Sequence, residues 1–121
     1  MLTGFPYHLE NYIDGQLIAP LGGQFFDNIN PATGSVYSQV PDSNQQDVDL
    51  AVKAAQKAFP AWSVTPAEKR FQVLNRIAGL IDEQLDELAL IESTDNGKPL
   101  WLCKEVDIPR ASANFRFFAT G

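Results

Sequence analysis

The sequence has little cysteine and histidine. Among 121 residues it contains one cysteine, Cys103, and one histidine, His8. A single cysteine excludes an intramolecular disulfide framework and a zinc site built from several cysteines, and a single histidine leaves no histidine pair for a metal. Because a chain without paired cysteines fits a reducing compartment, we predict a cytoplasmic location.

Long hydrophobic runs are missing as well. No stretch of 18 apolar residues occurs, so the sequence predicts no transmembrane helix and no membrane partner. Residues 1–10 contain neither Lys nor Arg nor a long apolar run, and they therefore do not resemble a secretory signal. With 45% hydrophobic residues, the chain is predicted to form one small folded domain with a modest core.

Basic residues are absent from the first 52 positions. That part contains six acidic residues, whereas residues 53–121 hold all nine Lys and Arg and an equal number of acidic residues. The formal net charge of −6 therefore lies entirely in the first part. Proteins that bind the phosphate backbone of nucleic acids carry a basic footprint. The charge pattern predicts no nucleic-acid partner.

The first 40 residues have the short apolar runs and turn residues that are typical of β-strands. Asp14-Gly15 between apolar pairs predicts a two-residue hairpin turn. Residues 25–29 and 36–40 predict two further strands, joined by the turn-forming residues 30–34, Asn-Pro-Ala-Thr-Gly. The sequence therefore predicts β-hairpins between about residues 11 and 40.

From about residue 44 to residue 121, the apolar residues recur with helical spacing and predict four helices. Ser43 and Gln46 have the spacing of a capping box at the first helix start, and Pro60 is predicted to end that helix. Thr65 is predicted to cap the second helix, with Pro66 at its first helical position.

The last two predicted helices are separated by Asn96-Gly97, a typical helix end. The fourth begins at about Leu100 and contains Pro109, which lacks a backbone N–H, so this helix should kink or restart near Asp107. Three phenylalanines lie within the last seven residues, with no later element to cover them: Phe115, Phe117 and Phe118. The sequence therefore indicates an α/β domain that is cut short.

No residue pattern in the sequence indicates a self-contained active site. Neither the GxGxxG motif nor the P-loop motif for binding phosphates occurs. Cys103 lies in an apolar stretch, which favours a buried, inert thiol over a nucleophile. Glu92 and Asp95 share one helical face, as a solvated helix edge or, less commonly, as ligands of a cation. Arg110 is either a surface residue or a clamp for an anion.

Six short segments follow one another in a specific order. They are residues 12–15 (Tyr-Ile-Asp-Gly), 30–34 (Asn-Pro-Ala-Thr-Gly), 58–62 (Ala-Phe-Pro-Ala-Trp), 92–99 (Glu-Ser-Thr-Asp-Asn-Gly-Lys-Pro), 106–110 (Val-Asp-Ile-Pro-Arg) and 114–119 (Asn-Phe-Arg-Phe-Phe-Ala). The first four, with Arg70 and Leu74 between them, resemble the start of the NAD(P)-dependent aldehyde dehydrogenase family. The last two resemble its subgroup that oxidises 2-aminomuconate or 2-hydroxymuconate semialdehyde.

The resemblance implies a fold and an activity for a longer parent enzyme. It identifies the strands and four helices, over residues 1–121, as the N-terminal part of a Rossmann-like cofactor domain that is truncated before its parallel sheet. The parent would oxidise an aldehyde of the muconic semialdehyde type to its carboxylate with NAD. The family's catalytic cysteine, general-base glutamate and NAD site lie in segments outside this chain. We therefore expect no catalytic residue, no cofactor-binding residue and no activity in this chain alone.

The resemblance also implies partners and two groups of site residues. The partners are the remainder of the parent chain and further copies of it, as a homodimer or homotetramer. In related members a structural K⁺ or Na⁺ is bound by backbone carbonyls and an acidic side chain at positions that correspond to Asn28, Ile29 and Asp95. In the muconic semialdehyde subgroup Arg110 lies at the substrate entrance, and Val106 would supply an apolar wall beside it.

Two other hypotheses are compatible with the sequence. The chain could be a non-catalytic interaction module that reuses this N-terminal layer. It could also be part of a betaine-aldehyde-like dehydrogenase, whose aldehyde is uncharged or cationic. In that case Arg110 would have no carboxylate to bind.

Overall fold

The structure is a computed structural model that describes residues 7–120. These residues divide into two units, the first ending at Val64 and the second beginning at Thr65. Residues 1–6, which belong to the segment judged unlike a secretory signal, and residue 121 lie outside the described residues. No helix among residues 7–120 has the length and apolar character needed to cross a membrane.

The first unit begins with a tight hairpin of two short strands, β1 (Asn11–Ile13) and β2 (Gln16–Ile18). The strands are antiparallel, and Asp14 and Gly15 between them have φ values of 51° and 80°. Two successive residues with positive φ are the requirement of a type I′ turn, which Asp-Gly meets easily. The hairpin prediction is confirmed.

A second antiparallel hairpin consists of β3 (Phe25–Asn30) and β4 (Ser35–Pro41). In the turn between them, the side-chain oxygen of Asn30 accepts the N–H of Ala32 at 2.9 Å, and Gly34 has a φ of 71°. A register shift, which marks a β-bulge, occurs after residue 28 of β3. Both strands were predicted to within two residues at each end.

The first helix, α1 (Gln45–Ser63), is capped by a different pair of residues from the predicted one. Its N-cap is Asn44, whose side chain accepts backbone N–H groups of the first turn, while the carboxylate of Asp47 accepts the Asn44 N–H at 2.8 Å. The predicted Ser43–Gln46 box is wrong. A carboxylate in the first turn also interacts favourably with the helix dipole, which an amide does not.

Pro60 does not end α1, contrary to the prediction. The helix continues to Ser63, whose hydroxyl donates to the Pro60 carbonyl at 3.0 Å. A proline removes its own N–H and its ring crowds the carbonyl four residues earlier, but the residues after it can still donate hydrogen bonds. The start of α2 (Ala67–Glu83) is also corrected, since Pro66 occupies the N-cap position that was predicted for Thr65.

The second unit is helical and, after α2, contains α3 (Leu85–Asn96), α4 (Leu100–Leu102), a π-helical segment (Cys103–Asp107) and α5 (Ile108–Ala119). Gly97 ends α3 in the left-handed conformation, as predicted. The last three elements follow each other without a break over residues 100–119, and α-helical geometry resumes at Ile108, next to Pro109. The predicted restart near Asp107 is therefore confirmed.

The interior of the second unit is built mainly from small residues. Ala78 of α2, Ala89 of α3, and Ser112 and Ala119 of α5 are buried. The hydroxyl of Ser112 donates to the carbonyl of Ala78 at 3.2 Å, which satisfies one buried polar group with another. Small side chains let α2 and α5 pack closely at this point.

Large apolar side chains remain exposed in both units. Phe59 and Trp62 on α1 are exposed, and Phe117 and Phe118 on α5 are 70% and 68% exposed. Phe115, the third phenylalanine expected to lack cover, is 37% exposed, so all three are exposed as expected. The α/β fold class with hairpins followed by helices is confirmed, whereas its membership of a Rossmann-like cofactor domain stays a prediction.

Candidate functional site

Arg110, the predicted substrate-binding residue, lies in the first turn of α5, and its side chain is 64% exposed. Its Nη2 donates to Oδ1 of Asp107 at 2.9 Å. The second oxygen of the same carboxylate, Oδ2, accepts a hydrogen bond from Nζ of Lys98, also at 2.9 Å. We refer to Lys98, Asp107 and Arg110 as the Asp107 cluster.

Lys98 is held by its backbone as well as by its side chain. Its N–H donates to the side-chain oxygen of Asn96 at 2.8 Å, and its carbonyl accepts the hydroxyl of Ser93 at 2.6 Å. Gly97 before it supplies the left-handed turn, and Pro99 after it precedes the next helix. These local bonds fix the point from which the Lys98 side chain extends to Asp107.

The π-helical segment determines the position of Asp107. The N–H of Ile108 donates to the carbonyl of Cys103, five residues earlier, which widens the helix by one residue. Pro109 follows immediately and has no N–H to continue an α-helical ladder through this segment. Asp107 therefore ends the wide turn, and Arg110 lies three residues later, in the first turn of α5. Val106, the predicted apolar wall, lies in the wide turn and is exposed.

Asp107 and Lys98 are both charged throughout the neutral pH range. The hydrogen bond from Lys98 lowers the pKa of Asp107, and the charge of Arg110 acts in the same direction. In turn, the hydrogen bond to Asp107 raises the pKa of Lys98, and the nearby charge of Glu92 adds to this effect. Each partner stabilises the ionised form of the other.

Cys103 is not arranged as a nucleophile. Its side chain is fully buried, and burial raises the pKa of the thiol, with the negative charges of Asp107 and Glu92 adding to the shift. A buried, protonated thiol is a poor nucleophile. The prediction that Cys103 is inert is supported.

The residues predicted for a monovalent cation lie in different units. Asn28 and Ile29 are in β3 at the register shift, where the side-chain amide of Asn28 donates to the hydroxyl of Tyr37 at 2.9 Å. Asp95 is in the last turn of α3. Carbonyl and carboxylate oxygens are hard donors that suit a hard cation. A joint cation site stays a prediction, and within residues 7–120 no group of three or more His, Cys, Asp or Glu is arranged to hold a metal.

Sequence reasoning missed the two residues that accompany Arg110. The three-residue spacing of Asp107 and Arg110 suits an ion pair on one helix and could have indicated their contact. The bond from Lys98 joins residues nine positions apart across a helix end. No sequence periodicity relates those two positions.

Known proteins share this arrangement of elements. A sequence model described as the aldehyde dehydrogenase family matches residues 19–121. The chain belongs to the aldehyde dehydrogenase family. This confirms the resemblance seen in its motifs.

Individual relatives have several specificities. The chain is 46% identical over 112 residues to the 2-aminomuconic semialdehyde dehydrogenase of Homo sapiens, a match that covers 93% of this chain and 23% of the relative. It is also 46% identical over 110 residues to acetaldehyde dehydrogenase 2 of Cupriavidus necator, covering 91% of this chain and 22% of that enzyme. The chain thus spans about a quarter of the length of the curated relatives that it matches.

Solved structures of aldehyde dehydrogenases superpose on the chain. PnpE in complex with nicotinamide adenine dinucleotide has a TM-score of 0.91 and 38% identity, and the NAD⁺ complex of the Bacillus cereus aldehyde dehydrogenase has a TM-score of 0.90 and 35% identity. Each match covers 93% of this chain and 23% of the solved chain. Family members of this fold therefore bind NAD.

Proposed function

We propose that this chain is the N-terminal part of an enzyme that oxidises a carboxylated aldehyde, of the muconic semialdehyde type, with NAD. The family membership and the NAD complexes of its relatives support the reaction class. Because the chain spans 23% of the length of these relatives, we place the nucleophile, the general base and the NAD site in the remainder of the enzyme. NAD, when bound there, accepts hydride from the substrate.

In this proposal the chain contributes substrate recognition and support. Arg110 binds the carboxylate of the substrate at the entrance, with Val106 as an apolar wall. Asn28, Ile29 and Asp95 hold a structural K⁺ or Na⁺. The remainder of the enzyme covers the exposed phenylalanines of α5, and complete copies associate as a dimer or tetramer in the cytoplasm.

The single observation that carries the substrate class is the state of Arg110. Its guanidinium is well exposed, and the bond from Nη2 to Asp107 uses one of its five N–H donors. The remaining donors include an edge that suits a carboxylate, which Arg binds through parallel hydrogen bonds. Equal identity to a muconic and an acetaldehyde enzyme means that overall similarity does not select the substrate. In this proposal the guanidinium of Arg110 selects the substrate.

The experiment is Arg110→Ala in the complete enzyme that contains this segment, assayed with 6-oxohexanoate and hexanal. These two aldehydes have the same chain length and differ in one terminal carboxylate. A charge-assisted hydrogen bond contributes roughly 1.5–3 kcal/mol, so kcat/KM should fall about 10- to 100-fold for 6-oxohexanoate and remain unchanged for hexanal.

The matched control is Arg76→Ala. Arg76 lies on α2, is also 64% exposed and also has one carboxylate partner, Glu83. It should affect neither substrate. Equal losses on both aldehydes in Arg110→Ala, or no loss on either, would contradict the proposal and favour an enzyme for an uncharged aldehyde, as in the betaine-aldehyde-like alternative.

A further inference from the structure

We propose that Asp107 is a positioning residue for Arg110 and that Lys98 anchors Asp107 for this task. The inference rests on the proposed function, because it assumes that Arg110 binds the substrate carboxylate. It concerns Asp107 and Lys98, the two neighbours of Arg110 that were not predicted from the sequence.

Asp107 differs from three other carboxylates that form ion pairs in the described part of the second unit. Its side chain is 12% exposed, whereas Asp82, Glu83 and Asp86 are 46–84% exposed in their pairs. A mostly buried carboxylate with both oxygens bonded has little freedom to move. An exposed arginine that is bonded to such a carboxylate is already ordered before the substrate binds. It therefore loses less rotamer entropy on binding the substrate than an arginine without this bond would lose.

Lys98 gives the cluster a second property, which is its charge. Asp107 alone would neutralise Arg110 and weaken its attraction for a substrate carboxylate. With Lys98 on the second oxygen, the cluster contains two cations and one anion, while the charge of Glu92 also acts on Lys98. Lys98 therefore offsets the charge of the carboxylate that orients the guanidinium.

The geometry also separates the two tasks of the carboxylate. Oδ2 is bonded to Lys98, which the turn after α3 holds in place, and Oδ1 is bonded to Arg110 on α5. The anchored oxygen fixes the carboxylate, and the other oxygen fixes Nη2. Removal of Asp107 should therefore leave the charge of Arg110 intact while its position becomes variable.

The test uses Asp107→Asn in the complete enzyme, with 6-oxohexanoate and hexanal as substrates. KM for 6-oxohexanoate should rise about 5- to 30-fold with kcat within about twofold, because a mobile guanidinium weakens a charge-assisted bond. Both constants for hexanal should be unchanged. Asp107→Glu, which keeps the charge, should restore most of the loss.

A second pair of measurements separates positioning from folding. The double variant Asp107→Asn with Arg110→Ala should be no worse than Arg110→Ala alone, since Asp107 acts through Arg110. Should Asp107→Asn not fold, Lys98→Met keeps the Asp107–Arg110 bond but releases its anchor, and KM for 6-oxohexanoate alone should rise about two- to fivefold. The control is Asp86→Asn, which breaks the exposed pair with Lys104.

The possible failures are distinguishable. If Arg110→Ala affects both aldehydes equally, the proposed function is wrong and this inference with it. If Arg110→Ala is selective for 6-oxohexanoate but Asp107→Asn affects both aldehydes, or adds in full to Arg110→Ala, only the positioning role is overturned. A lower KM for 6-oxohexanoate in Asp107→Asn would also overturn it, because Asp107 would then be a competitor of the substrate.

Discussion

The guanidinium of Arg116 on α5 donates to the carboxylate of Asp82 on α2, with 2.5 Å between Nη2 and Oδ2. The same guanidinium donates to the hydroxyl of Ser112, which in turn donates to the carbonyl of Ala78 at 3.2 Å. A chain of polar bonds thus connects α5 to α2 from the exposed edge to the buried centre of their interface. The hydrogen bond from Arg116 lowers the pKa of Asp82.

This bond predicts a specific acid sensitivity. Because the pKa of Asp82 is lower in the folded than in the unfolded state, its stabilisation is present above the ordinary pKa of 3.8 and is lost as the pH falls through the folded value. Asp82→Asn in the complete protein should therefore be less stable than the wild type at neutral pH. Below about pH 4, its urea midpoint should decrease less than that of the wild type. Asp86→Asn, in a more exposed pair, serves as the control. Parallel acid limbs for wild type and Asp82→Asn would contradict the prediction.

Two glycines should respond to the same substitution in opposite directions. Gly97 has a φ of 77° at the end of α3, so Gly97→Ala should lower the free energy of unfolding by about 1 kcal/mol. Gly79 lies inside α2, and a Cβ there would meet only the end of the Arg76 side chain at 3.9 Å. Gly79→Ala should raise the free energy of unfolding by about 0.5–1 kcal/mol. Denaturant titrations of the complete protein measure the free energy of unfolding of both variants. Changes of the same sign would contradict the different backbone roles given to Gly97 and Gly79.

The proposed cation site predicts a dependence of stability on the type of cation. Asp95 lies in the last turn of α3, where a carboxylate opposes the helix dipole unless a cation compensates it. The Tm of the complete protein should be about 2–4 °C higher in KCl or NaCl than in tetramethylammonium chloride of equal concentration. Asp95→Ala should abolish that difference.

The control for the cation experiment is Glu87→Ala, at the start of the same helix. Its effect on Tm should be the same in all three salts, because a carboxylate there acts through the helix dipole and not through a bound ion. A wild-type Tm that does not depend on the salt would remove Asn28, Ile29 and Asp95 as a cation site.

The isolated 121-residue polypeptide is expected to be inactive and to bind a hydrophobic dye. Its single cysteine is buried with a raised pKa, and Phe117 and Phe118 are largely exposed. NADH formation with 6-oxohexanoate and NAD should not exceed that of a heat-denatured sample, and dye fluorescence per chain should exceed that of the complete enzyme. Aldehyde-dependent NADH formation by the polypeptide would refute the proposed division of labour.

Features of the fold that depend on neighbouring residues could be predicted from the sequence. Asp14, Gly15 and Gly97 adopt positive φ in the structure. Few other residue types do so without strain, so these residues indicated both turns in the sequence. The first helix cap was missed because Ser43–Gln46 and Asn44–Asp47 have the same spacing. The charge of Asp47 at the helix N-terminus favours the second pair.

The candidate site could be predicted only in part, for a different physical reason. Arg110 was identified through its segment, but Asp107 and Lys98 were not, because their bond depends on the path of the chain through the π-helical segment. Pro109 predicted an interruption of the helix at this place. It did not predict that the interruption is a wide turn rather than a break.

The wide turn has a consequence for the phase of the helix that follows it. A π-helical turn contains one residue more than an α-helical turn. The side chains of α5 therefore lie on the faces that they would occupy if α4 continued as an α-helix with one residue deleted. If residues 103–107 tightened into an ordinary α-helix, every later side chain would turn by about 100° about the axis. Ser112 would leave the carbonyl of Ala78, and Arg116 would leave Asp82. The extra residue thus sets the rotation of α5 about its axis relative to α4. With this rotation, Asp107 can bond to Lys98 while Ser112 and Arg116 bond to residues of α2.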